Sequence, residues 1–190
     1  MFIQTEQTPN PATLKFLPGQ TVMETGSADF PNPETAIGKS PLAETLFAVE
    51  GVTAIFFGAD FITVTKMDDV EWYVLKPSVL GSIMEHFAAA RPVMSSDAGV
   101  DAGQTLEQKY DVADEEIVLQ IKELLDTRVR PAVAQDGGDI VFHGFEAGVV
   151  YLAMRGACAG CPSATATLKM GIENMLRHYI PEVTEVRPAE

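Results

Sequence analysis

Between Arg91 and Gln104 the chain reads Arg-Pro-Val-Met-Ser-Ser-Asp-Ala-Gly-Val-Asp-Ala-Gly-Gln, small and acidic residues with no apolar period. Neither a strand nor a helix with a buried face can be built from it. Because this seam falls near the middle of 190 residues, one continuous core is excluded. The chain reads instead as two small domains, 1–90 and 112–190, joined by a flexible linker over 91–111. About 20 flexible residues span roughly 25 Å root-mean-square, enough for the halves to reorient. Residues 1–110 carry 14 acids against 6 bases and 111–190 carry 13 against 7, so neither half is an oppositely charged tail of the other. The expected class is α+β, two small α/β-sandwich-like domains.

A net charge of -14 leaves no run of Lys and Arg to neutralise phosphates, which argues against nucleic acid. An acidic surface favours solubility and basic protein partners. No segment reaches the roughly 18 apolar residues of a membrane helix. Met1-Phe-Ile-Gln-Thr-Glu6 has neither a basic region ahead of an apolar core nor Arg-rich transit character. The sequence therefore points to a cytoplasmic, reduced protein, where two nearby cysteines are ligands or a redox pair sooner than a structural disulfide.

In the first half, Thr13-Leu-Lys-Phe-Leu17 alternates and stops at Pro18-Gly19, which predicts a strand and a turn. Ser40-Pro41 opens a helix carrying Leu42, Leu46 and Val49. The runs 52–57 and 61–65, parted by Gly58-Ala-Asp60, predict a hairpin. A second helix over 76–90 shows Val79, Leu80, Ile83, Met84 and Phe87 as a core stripe, with Trp72 packing on the sheet. His86, beside Phe87, reads as a solvated or hydrogen-bonded side chain, not a ligand.

The second half predicts the order helix, strand, strand, helix, strand. Asp114 can cap a helix whose apolar face is Ile117, Ile121, Leu124 and Leu125. Pro131 kinks or restarts it, and Asp136-Gly-Gly138 ends it. Strands over 140–145 and 149–154 meet at Glu146-Ala-Gly148. A last helix presents Leu168, Ile172, Met175, Leu176 and Tyr179, Pro181 stops it, and 182–187 can form a short final strand. Paired aspartates in Asp136-Gly-Gly-Asp139 invite an iron-entry role, but glycines after a helix favour a C-cap and turn.

Cys158 and Cys161, the only cysteines, stand in Gly156-Ala-Cys-Ala-Gly-Cys-Pro162 between the second strand and the last helix. Pro162 suits a first helical position, so Cys161 falls near the N-cap and Cys158 in the loop before it. Unpaired N–H groups and the helix dipole favour thiolate there. The small residues between let backbone wrap an inorganic core and donate N–H bonds to it. Ser163, Thr165 and Thr167 can add hydroxyls.

A disulfide across so short a loop stabilises little. A thioredoxin-like pair lacks an aromatic residue ahead of Cys158 and enough strand after the helix. A one-chain zinc site would need His143, in a strand, or His178, roughly 25 Å along the helix at 1.5 Å per residue. Four-ligand zinc or iron-sulfur sites take about twice the thiols this chain owns. A site shared between two chains remains, holding zinc or an iron-sulfur cluster.

Arg130-Pro131, Asp136-Gly-Gly-Asp139, Gly156-Ala-Cys-Ala-Gly-Cys-Pro-Ser163 and Thr167-Leu-Lys-Met-Gly-Ile-Glu173 resemble, in order and spacing, the C-terminal domain of NifU-like proteins. Gln4, Thr8-Pro-Asn-Pro11, Leu14-Lys-Phe16, Ser40-Pro-Leu42, Phe56-Phe-Gly58 and Asp60-Phe-Ile-Thr-Val64 look like the Nfu N-terminal domain. The resemblance spans nearly the whole chain apart from the linker. It implies a non-enzymatic iron-sulfur cluster scaffold or carrier in which two C-terminal domains bridge a [4Fe-4S] cluster through their C-x-x-C pairs. Mapped here, the ligands are Cys158 and Cys161 of each copy of a homodimer, with a [2Fe-2S] form possible on the same four thiolates. Partners implied are upstream cluster-assembly proteins and apo iron-sulfur clients, such as aconitase-like or lipoyl-synthase-like enzymes. The N-terminal domain becomes a client-recognition or regulatory module, and the lack of transit character favours the bacterial, cytoplasmic form. Arg155 and Lys169 are candidates to soften the net charge of -2 that four thiolates leave on the cluster.

Overall fold

A computed structural model describes residues 1–96, 109–159 and 162–189, apart from the side chains of 162–164. Its contacts divide the chain into two units, Met1–Gly103 and Gln104–Glu190. The middle of the expected linker, 97–108, lies outside the described residues.

In the first unit, strands β1 (Gln4–Gln7), β2 (Thr13–Leu17), β3 (Ala28–Phe30), β4 (Val52–Phe57) and β5 (Ile62–Lys66) form an antiparallel sheet ordered β1-β2-β5-β4-β3. Register follows the two-residue period: Phe16, Leu14, Ile62, Val64, Ile55 and Phe57 share the face that joins the core, while Lys15, Thr63 and Phe56 share the other. On that second face the Lys15 ammonium lies 4.7 Å from the ring centre of Phe61. The core face is covered by α2 (Pro41–Phe47) and α3 (Trp72–Ala88), which supply Leu42, Leu46, Leu75, Val79 and Ile83.

Helix α2 starts as its sequence predicts: the Ser40 hydroxyl accepts from the Ala43 N–H at 3.0 Å and Pro41 occupies the first turn. Helix α3 begins before the expected Lys76 and runs through Pro77. Pro77 stands in the second turn, where its missing N–H forgoes one i→i−4 bond. Trp72, in the first turn, meets Phe16 of β2 edge-on at 6.5 Å and donates its Nε1–H to the Pro11 carbonyl. His86 is buried and hydrogen-bonded, not solvated: its Nε2 lies 3.1 Å from the Pro92 carbonyl oxygen. Val93 and Met94 pack on this core, and the Ser95 N–H donates to the Lys39 carbonyl, so residues up to 95 stay with the first unit. β1, β3 and the four-residue helix α1 (Pro33–Ala36) are too short to leave a periodic signal in sequence.

In the second unit the expected helical cap moves. Asp111 accepts from the Ala113 N–H, opening a 3₁₀ turn at Val112–Asp114, and Asp114 makes no side-chain cap bond before α4 (Glu115–Leu124). A π-helical turn, Leu125–Val129, then leads into α5 (Arg130–Gln135). Spacing explains the extra width of that turn. Ile121, Leu125, Val129 and Val133 are all buried at intervals of four, and on a 3.6-residue helix each such step drifts about 40°. One wider turn brings the row back to a single face.

Strands β6 (Gly138–Glu146) and β7 (Val149–Gly156) are antiparallel, and β8 (Glu185–Pro188) joins β7 in parallel, in the order β6-β7-β8. A bulge at His143 shifts the register between Phe142 and Gly144. It lets Ile140, Phe142 and Phe145 all reach the core, which strict alternation would forbid. The hairpin turn has Ala147 and Gly148 at φ 50 and 81, the two positive values of a primed turn. Helix α6 (Pro162–Tyr179) buries Ile172 and Leu176, and the Glu173 carboxylate accepts from the Val186 N–H of β8. Tyr179, expected on the apolar face, is 48% exposed under the Arg128 guanidinium, and Ile180 is buried in its place.

Candidate metal centre

Gly137 and Gly138 form the corner between α5 and β6. Asp136 ends the helix, and Gly137 takes φ 80, a left-handed conformation that a residue without Cβ adopts freely. Gly138 then pairs with Gly156, the last residue of β7, and Gly156 turns the chain into the cysteine loop at φ 67. The loop is tied to the corner and to itself: the Ala157 N–H donates to the Gly137 carbonyl at 3.1 Å, and the Ala159 N–H to the Gly156 carbonyl at 3.1 Å. From α6 the Thr165 hydroxyl donates to the Cys158 carbonyl at 3.1 Å.

Cys158 is a thiol, 5% exposed, packed with the apolar core of the second unit. Its Sγ lies so close to Gly138 that a Cβ there would stand 2.7 Å from the sulfur. Cys158, in the loop ahead of α6 as the sequence predicts, is thus covered by backbone. Cys161 and Gly160 lie outside the described residues, and Cys161 directly precedes Pro162, where α6 begins.

Asp139 is 6% exposed and fully engaged. The Arg130 guanidinium grips it in bidentate fashion, Nε to Oδ1 at 2.9 Å and Nη2 to Oδ2 at 3.0 Å, and the Ile140 N–H donates to Oδ1 at 2.8 Å. Arg130 also reaches the exposed Asp126 through Nη1 at 3.0 Å. The bond to Asp139, with Asp126 adding, pushes the guanidinium pKa further above its ordinary value. Of the two readings of Asp136-Gly-Gly-Asp139, the turn is the one built; Asp139 faces an arginine and serves as its anchor.

His143 and His178 are not brought to Cys158 as ligands. His143 sits in the β6 bulge, with Nδ1 buried and lacking a hydrogen-bond partner, and His178 lies edge-on to Tyr179 at the far end of α6. Among the described residues no group of three or more His, Cys, Asp or Glu side chains could hold a metal ion. Arg155 stands half-buried opposite Asp139 in the β6–β7 ladder. Lys169 acts on Glu185, whose carboxyl is held down first by its bond from Arg187. Sequence reading missed two parts of this site, the Arg130–Asp139 pair and the approach of Gly138 to the sulfur. Nine residues and a helix–strand corner separate the pair, and no spacing rule reports a contact across such a corner.

A family model described as "Scaffold protein Nfu/NifU N terminal" matches residues 3–90, and one described as "NifU-like domain" matches residues 121–187. The chain is 52% identical over 188 residues to "NifU-like protein 4, mitochondrial" of Arabidopsis thaliana, covering 98% of this chain and 65% of that protein. It is 54% identical over 187 residues to the Drosophila sechellia "NFU1 iron-sulfur cluster scaffold homolog, mitochondrial", with 98% and 64% covered. To the Homo sapiens protein of the same name it is 50% identical over 187 residues, with 98% and 71% covered. These relatives, each named as mitochondrial, overturn the expectation of a bacterial cytoplasmic protein. That expectation rested on the residues at which the sequence begins. The chain spans about two-thirds of the length of these relatives. No helix among the described residues is long and apolar enough to cross a membrane.

Proposed function

Because the chain belongs to the Nfu family of NifU-like iron-sulfur cluster scaffold proteins, we propose that it carries a [4Fe-4S] cluster bridged between two copies and passes it to apo-proteins. The observation that carries this reading is the pair of thiols, Cys158 and Cys161, between β7 and α6, in a chain that matches scaffold proteins along nearly its whole length. A cluster of this kind takes four thiolates. One chain supplies two, so a second copy supplies the rest, and a [2Fe-2S] form would use the same four.

The cluster is cargo. Binding and release are ligand exchanges at sulfur, and no side chain need act on a substrate bond. Small residues around the thiols favour close approach by backbone N–H donors to an inorganic core. A position at the junction of two copies suits delivery, since opening the junction exposes the cluster to an acceptor's thiols. The two units divide the work in this proposal: residues from Lys109 onward hold the cluster and residues up to Ser95 contact clients, with the stretch between them as the tether.

Anaerobic reconstitution with iron and sulfide tests the reading. The expected result is broad visible absorption, about four irons and four sulfides per dimer as a shared cubane requires, and loss of both colour and dimer in Cys158→Ala and Cys161→Ala. A protein that stays colourless and monomeric while reducing a disulfide substrate would instead be a thiol-disulfide oxidoreductase. Zinc alone, held by the same four cysteines in protein purified without oxygen and not displaced by iron and sulfide, would also overturn the reading.

A further inference from the structure

The Cys158 thiol is covered, and what covers it is held by a side chain on another element. Gly138 lies against Sγ. Gly137 receives the Ala157 N–H, Gly138 faces Gly156, and Asp139 faces Arg155 across the ladder, so backbone pairing joins the first residues of β6 to the start of the cysteine loop. Gly137 and Gly138 offer no side chain to anchor the corner. The anchor is one residue further on. Asp139, buried, takes both arms of the Arg130 fork at 2.9 and 3.0 Å. Arg130 itself opens α5, whose Val133 is packed in the core below.

We infer that Arg130 is a positioning residue for Cys158: by gripping Asp139 it clamps the Gly137-Gly138 corner onto the cysteine loop and keeps the thiol covered until the loop is drawn out to bind. The meaning of this for cluster loading rests on the function proposed above; the covering of the thiol does not. A planar fork on a carboxylate fixes direction as well as distance, which a single ammonium contact does not. Arg130→Lys should therefore retain charge and lose part of the clamp. Asp126, exposed and bonded to the third guanidinium nitrogen, is a built-in control, since removing it leaves the fork on Asp139 intact.

The test is alkylation of the full-length apo-protein by iodoacetamide, resolved at Cys158 by mass spectrometry, on variants that show a cooperative thermal melt. Arg130→Gln and Asp139→Asn are each expected to speed alkylation of Cys158 about tenfold, equivalent to ~1.4 kcal/mol of lost cover. Arg130→Lys should fall between these and the parent. Asp126→Asn should match the parent, and the Arg130→Gln, Asp139→Asn double variant should react no faster than either single one. If Arg130→Gln fails to fold, Arg130→Lys and Asp139→Asn carry the comparison. An unchanged Cys158 rate in these folded variants overturns the inference. Equal acceleration by Asp126→Asn also overturns it, because the effect would then belong to helix stability. Faster alkylation in a protein that binds no cluster on reconstitution would leave the clamp standing and remove the carrier reading alone.

Discussion

A methyl group at position 138 would sit 2.7 Å from the Cys158 Sγ and 2.8 Å from the Arg155 carbonyl oxygen. The sulfur can swing aside, but the backbone oxygen cannot, so Gly138→Ala should cost about 1 to 3 kcal/mol as an overpacked site does. Thermal or urea melts would show it, together with a Cys158 thiol that reacts faster than in the parent. Another residue-scale expectation concerns His86. Burial, with Arg91 adding, lowers its pKa from 6.5 despite the opposing bond to the Pro92 carbonyl. The unfolded chain therefore takes up this proton first as pH falls. Stability from neutral His86 is fully present above pH 6.5 and is lost from there down through the lowered folded pKa. Melts between pH 7.5 and 5.5 should show a falling melting temperature in the parent and a flatter profile in His86→Gln. At this scale the sequence was legible where chemistry is local. The Cys158 and Cys161 spacing, Pro162 and the Ser40 cap each announce themselves within a few residues. Arg130 on Asp139, Gly138 under a sulfur and the burial of His86 are meetings of distant residues, and their roles come from the fold.

Among the elements, the π-helical turn at Leu125–Val129 is the departure that most affects the site. Pro131 lacks an N–H and its ring presses on the carbonyl four residues back, so it tolerates a wide turn ahead of it. The four-residue spacing of buried Ile121, Leu125, Val129 and Val133 asks for that turn on its own account. Pro131→Ala should thus leave the turn in place and shift stability by less than ~1 kcal/mol. Deletion of Thr127 should rotate the downstream helix α5 by about 100° at 3.6 residues per turn, pulling both Val133 and the Arg130 fork off their partners. Hydrogen exchange on α5 and the Cys158 alkylation rate would read the two outcomes apart. The restart at Pro131 was visible in the sequence, and so was the order helix, strand, strand, helix, strand. The π turn and the His143 bulge were not, since each adds one residue to a period that periodic reading assumes constant.

For the molecule as a whole, each unit keeps its own buried cluster, one built from residues such as Phe16, Leu42 and Val79, the other from Ile121, Phe142 and Leu176. The two should therefore survive separation. Limited proteolysis between 97 and 108 is expected to leave two fragments that each melt cooperatively, with the C-terminal one still taking up iron and sulfide. A C-terminal fragment that unfolds on cleavage would contradict the independence of the cores. The seam in the sequence marked this division, although its first residues, Val93 and Met94 among them, pack on the first core. Its far edge was harder to place: Lys109 and Tyr110 already belong to the second unit, Tyr110 meeting the Phe142 ring edge-on at 6.4 Å.

Lys109 does one thing more. Its N–H donates to the His143 carbonyl and its carbonyl accepts the Phe145 N–H, so the incoming chain lies along the open side of β6 at its bulge. An unguarded strand edge invites a neighbour to extend the sheet, and head-to-tail extension grows into fibres with no natural end. Lys109 takes up that edge beside the bulge, so a neighbouring sheet finds the His143 carbonyl and the Phe145 N–H already paired.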